Sequence, residues 1–73
     1  MSVTKSDRYS GNAQSEKYRK DGMKIKISYC LGFNRVEIEK DGYIYTNLFY
    51  PGGRKFGLKD INDAIKTIED ERL

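Results

Sequence analysis

From Met23 onward apolar and polar residues alternate. Met23, Ile25, Ile27, Tyr29 and Leu31 fall on one side of an extended chain and Lys24, Lys26, Ser28 and Cys30 on the other, which predicts a half-buried strand over residues 23–31. Gly32, Phe33 and Asn34 read as a turn, so a second strand over residues 35–40 pairs antiparallel with the first. Asp41-Gly42 lies between two runs rich in Val, Ile, Tyr and Thr, a strong short-range hairpin signal, and a third strand over residues 43–50 completes a meander. Tyr50-Pro51-Gly52-Gly53 has the chemistry of a type II turn, with Pro setting φ at its second position and Gly admitting positive φ at its third. Beyond Gly57 the period changes: Leu58, Ile61, Ala64, Ile65 and Ile68 recur every three or four residues, the stripe of an amphipathic helix over residues 58–73. Gly57 serves as its N-cap, Asp60 and Asp63 complement the positive end of its dipole, and Lys59, Asn62, Asp63, Lys66 and Asp70 take the solvent side.

Two registers are open to the central hairpin. A two-residue turn of Asp41 and Gly42 pairs Lys40 with Tyr43, so that Val36, Ile38, Tyr45 and Phe49 share a face while Glu37 and Glu39 lie beside Ile44 and Leu48. A three-residue loop of Lys40, Asp41 and Gly42, with Gly42 left-handed in a bulge, shifts the pairing by one and exchanges core and surface along the third strand. Val36, Ile38, Ile44, Thr46 and Leu48 then form an aliphatic face, and Tyr43, Tyr45 and Phe49 look outward with Glu37 and Glu39. The second register is preferred, because it confines charge to the face away from the helix.

The expected fold is α+β: a three-stranded antiparallel sheet with its aliphatic face covered by one C-terminal helix (βββα). Residues 1–21 are polar and show neither period, so they read as a disordered, flexible, polar and basic arm, and residues 22–73 as a single domain beginning at Asp21-Gly22. Tyr9 and Tyr18 within the arm either stack on bases or are solvated.

Charge refines this picture. The 73 residues carry a net charge of +3 that is unevenly spread: residues 1–22 hold +2, residues 23–57 +3 and residues 58–73 −2. A basic sheet and arm set against an acidic helix orient the molecule sheet-first toward a polyanion. The chain holds one Cys and no His, so neither a disulfide framework nor a thiolate or imidazole metal site forms within it, and Cys30 reads as a small apolar residue. No cofactor or metal is implied. The amino terminus lacks the apolar core of a secretory signal and no apolar run approaches the length of a membrane span, so the reading is cytoplasmic with no membrane partner.

Catalysis has little support. Glu37 and Glu39 are neighbouring solubilising charges, and Gly52-Gly53-Arg54 reads as a turn before it reads as a phosphate cradle. The protein is read as no enzyme. The exposed sheet face is the better candidate: in the preferred register it shows Tyr43, Tyr45 and Phe49 with Lys24, Lys26 and Arg35, and the turns at its ends add Lys40, Arg54 and Lys55. Rings interleaved with cations suit a nucleic acid, cations meeting phosphates while rings stack on bases.

The segment DGYIYTNLFYPGGRKFGLKDINDAIKTIED resembles the amino-terminal arm-binding domain of phage and transposon integrases. The resemblance runs through Gly42-Tyr43, the basic turn Gly53-Arg54-Lys55, the step Phe56-Gly57 and the helix from Leu58. It implies a three-stranded sheet backed by one helix, with the sheet's open face laid in the DNA major groove. On that basis Lys24, Lys26, Arg35, Tyr43 and Tyr45 would contact DNA, with Arg54 and Lys55 on phosphates. The expected function is therefore a small nucleic-acid-binding protein, for DNA in the first instance, of phage or mobile-element type. The alternative is a small phage-type inhibitor or adaptor that binds a host or defence protein through the aromatic face or a strand edge.

Overall fold

A computed structural model describes residues 1–50 and 55–73. After a single 3-10 turn at Lys5–Asp7 come five strands, β1 (Arg8–Gly11), β2 (Ser15–Lys20), β3 (Met23–Cys30), β4 (Phe33–Lys40) and β5 (Tyr43–Phe49), and then helix α1 (Leu58–Arg72). The strands form one antiparallel sheet in the order β1-β2-β3-β4-β5. The α+β reading is therefore corrected from three strands to five. The stretch expected to be a disordered arm supplies the other two.

Two features explain why β2 is hidden in the sequence. Its inward positions are Glu16, Tyr18 and Lys20, opposite Ile27, Ile25 and Met23, so a single apolar side chain marks its buried side. Asp21-Gly22, read as a domain boundary, is a two-residue hairpin turn with φ of 51° and 80°, and it joins Lys20 directly to Met23. The β1–β2 connection is held by Asn12, whose Oδ1 accepts the backbone N–H groups of Gln14 (2.8 Å) and Ser15 (3.0 Å). The turn placed at Gly32-Phe33-Asn34 also moves: Cys30 pairs with Phe33, so β4 begins at Phe33.

The preferred register of the central hairpin is overturned as well. Lys40 pairs with Tyr43, Ile38 with Tyr45 and Asn34 with Phe49, without a bulge. Asp41 and Gly42 have φ of 54° and 82°, both positive, the pairing found in type I′ turns, whose twist matches that of the strands they join. The helix does not need Ile44 and Leu48 to close the core. At this edge of the sheet Tyr45 and Phe49 pack against the core instead, and Ile44 and Leu48 stay 63% and 47% exposed.

Helix α1 crosses the inner face and seals it with Ile61, Ala64, Ile65 and Ile68 against Tyr18, Met23, Ile25, Ile27, Val36 and Ile38. Asp60 Oδ2 accepts the Gly57 N–H at 2.9 Å, closing the first turn. Asn62, expected on the solvent side, pairs with the backbone of Val3 instead: its Oδ1 accepts the Val3 N–H (2.7 Å) and its Nδ2 donates to the Val3 carbonyl (3.0 Å). That two-point contact holds the amino-terminal segment along the helix and puts the Val3 side chain in the core.

Candidate functional site

One face of the sheet is covered by the helix and the other is open. Alternation along each strand decides which side chains stand on the open face. Three rows run across it: Arg19, Lys24, Glu39 and Ile44; Lys17, Lys26, Glu37 and Thr46; and Ser15, Ser28, Arg35 and Leu48. The rows divide the face into three sectors. β2 and β3 are cationic, β4 adds a column of carboxylates, and β5 is uncharged.

The cationic sector contains two like-charge pairs directly opposite each other, Lys17 with Lys26 and Arg19 with Lys24. Opposed side chains on neighbouring strands have Cβ atoms about 4.5–5.5 Å apart, and like charges there destabilise a sheet. The two pairs are about 7 Å apart along the strands, given the rise of about 3.4 Å per residue. Four cations thus form one block. Tyr9 closes its outer side: the Arg19 guanidinium carbon lies 4.5 Å from the Tyr9 ring centroid, a cation–π contact that holds an aromatic plane beside the block. A shallow depression runs from Tyr9 over Lys17, Lys24 and Lys26 toward Ile44, with Glu37 and Glu39 along its far border. Glu37 is partly engaged by Arg35, whose Nε lies 3.4 Å from its Oε1.

The residues expected to form one surface are divided between the two faces. Lys24, Lys26 and Arg35 stand on the open face. Lys40 and Tyr43 flank the turn, exposed but on the helix side of the sheet by alternation. Tyr45 is half-buried against the core, and Phe49, also on the helix side, has its ring 6.0 Å from that of Phe56. The outward aromatic face of Tyr43, Tyr45 and Phe49 is therefore corrected. Lys55 reaches the β1–β2 connection, with its Nζ 3.4 Å from the Asn12 carbonyl and 3.9 Å from Glu16 Oε1. Arg54, the Gly52-Gly53-Arg54 cradle and the turn through Pro51 lie outside the described residues. Tyr9, Lys17 and Arg19 are members of the cationic sector that the sequence reading left in the arm.

Tyr18, the other tyrosine of that stretch, belongs to the core. Burial, followed by the 2.8 Å hydrogen bond it donates to Glu16 Oε2, pushes its phenol from 10.0 up to about 12. Because the folded state keeps this proton longer than the unfolded chain does, the resulting stability is complete below pH 10 and is lost as pH rises toward about 12. Urea unfolding of wild type and Tyr18→Phe across that window should give a shallower loss for the variant.

Among the described residues no cluster of three or more His, Cys, Asp or Glu is placed to hold a metal, and no helix is long and apolar enough to cross a membrane. Comparison with models of known protein families, with curated proteins and with solved structures finds no significant match.

Proposed function

We propose that this protein is a small non-enzymatic nucleic-acid-binding protein of the cytoplasm, which takes the phosphodiester backbone of DNA along the open face of β2 and β3. The observation that carries the reading is the pair of opposed like charges, Lys17 with Lys26 and Arg19 with Lys24. A face that only needed solubility would interleave signs, as β3 and β4 do where Lys24 meets Glu39 and Lys26 meets Glu37. Cations set against each other cost stability unless an anion is there to be bound. The sector is open along the strands and borders the Tyr9 ring, which suits a polymer with repeated charge and flat bases. Glu37 and Glu39 repel phosphate, and so confine the path to the β1–β3 side. DNA is named as the polymer from the resemblance of residues 41–70 to integrase arm-binding domains, a segment that includes neither β2 nor β3.

Fluorescence anisotropy with labelled duplex and single-stranded oligonucleotides, repeated over a salt series, tests this. Three to four phosphate contacts should give a slope of about −3 in log affinity against log salt on duplex, and a shallower one on single strands. No binding at about 100 μM protein in low salt, where non-specific binders are already saturating, would remove the reading.

A further inference from the structure

We infer that β5 is a self-pairing edge, through which two copies of this chain join into one continuous ten-stranded sheet. The inference rests on the two ends of the sheet being treated differently. β1, at one end, has only four residues, starts at Arg8 and is interrupted by a bulge between Arg8 and Ser10. Short length, charge and bulging are the devices that keep an edge from pairing. β5, at the other end, runs seven residues, YIYTNLF, with no charge, no Pro and an unbroken ladder to β4, and among the described residues no strand lies beyond it.

The register shows which groups are on offer. Lys40 and Tyr43 close a two-residue turn and exchange backbone hydrogen bonds, so alternate residues from Tyr43 point their N–H and C=O at β4. Ile44, Thr46 and Leu48 therefore turn theirs to the open edge. They are also the residues whose side chains stand on the open face.

The occupant is a second copy because this edge is complementary to itself. A two-fold axis through Thr46 sets Thr46 opposite Thr46 of the second copy, and each Ile44 opposite a Leu48, all as hydrogen-bonded pairs. The apolar side chains left 63% and 47% exposed in one copy then cover each other across the seam. No charge of β5 opposes the approach, and the cationic strands β2 and β3 stay three and two strands away from the junction. A single strand pairing buries less surface than a permanent dimer needs, so association is weak and concentration-dependent.

Sedimentation equilibrium on the nuclease-treated 73-residue chain, from about 10 μM to about 1 mM, a range suited to such small interfaces, decides the matter. The mass should rise from 8.5 kDa toward twice that value. Ile44→Lys alters only an exposed side chain, and Thr46→Pro removes an N–H that points to the open edge, away from β4; each should weaken association by about tenfold or more. Ile44→Lys should retain the wild-type circular dichroism spectrum, so it remains decisive even if Thr46→Pro unfolds. A wild-type chain that stays at 8.5 kDa throughout overturns the inference. So does a dimer that Ile44→Lys leaves unchanged. Neither result touches the nucleic-acid reading, whose residues lie on β2 and β3.

Discussion

Replacing Lys17, Lys24 and Lys26 together with Thr is expected to weaken DNA binding by about 500-fold at 0.1 M salt. The size follows from counterion release: each phosphate-neutralising lysine contributes about 0.9 to the salt slope on duplex, so three remove about 2.7. If affinities of wild type and variant converge near 1 M salt, that difference in slope is a factor of about 500 one decade lower. Thr is chosen because it suits a strand, so lost binding is not confused with lost fold. Lys17→Thr alone separates a functional block from an incidental one. It removes one of two opposed like charges and leaves Lys26 facing a neutral residue. Stability should rise by about 0.5 kcal/mol while the salt slope falls by about one, an opposition expected where charge is held in place for a ligand. Urea denaturation and anisotropy on the same samples measure both. A triple variant that binds as wild type does would show that the block is ordinary solvated surface.

What the sequence reveals about this molecule depends on how much of each element is apolar. β3, β4, β5 and α1 are legible within a residue or two because alternation or helical spacing places at least two apolar residues on one side of each. β2 carries only Tyr18 inward, between Glu16 and Lys20, and β1 is exposed throughout, so hydrophobic periodicity is silent on both. A signal was nevertheless present. Asp21-Gly22 repeats the chemistry of Asp41-Gly42, and reading it as a hairpin puts Lys17 and Arg19 on the same face as Lys24 and Lys26.

The candidate site follows the same division. Lys24, Lys26 and Arg35 stand on the open face as expected because β3 and β4 are legible in the sequence. The aromatic partners were misplaced by one register step, which moved Tyr43 and Tyr45 across the sheet. Turn geometry outweighs burial of aliphatic residues there: two central residues that both tolerate positive φ favour the two-residue turn, and the sheet then accommodates rings at its edge. The pairing of Asn62 with Val3 is different in kind. A contact between a helix side chain and a distant backbone has no sequence periodicity to betray it.

Ile65→Ala is expected to cost about 2–5 kcal/mol, since Ile65 is wholly buried in the helix stripe and its removal leaves a cavity under the sheet. A chain of 73 residues has about 4–11 kcal/mol in all, so this one truncation removes about a fifth of its stability or more and lowers the melting temperature by about 10 °C or more. Ile44→Ala makes the same chemical change at a position that is 63% exposed, and under conditions where the chain is monomeric it should cost no more than about 0.5 kcal/mol. The contrast tests the register without coordinates. In a bulged hairpin Ile44 lies under the helix, and the two substitutions would be comparably damaging; with Lys40 paired to Tyr43, only Ile65 is in the core. Equal losses in the two urea titrations would return Tyr45 to the open face and add it to the aromatic surface there.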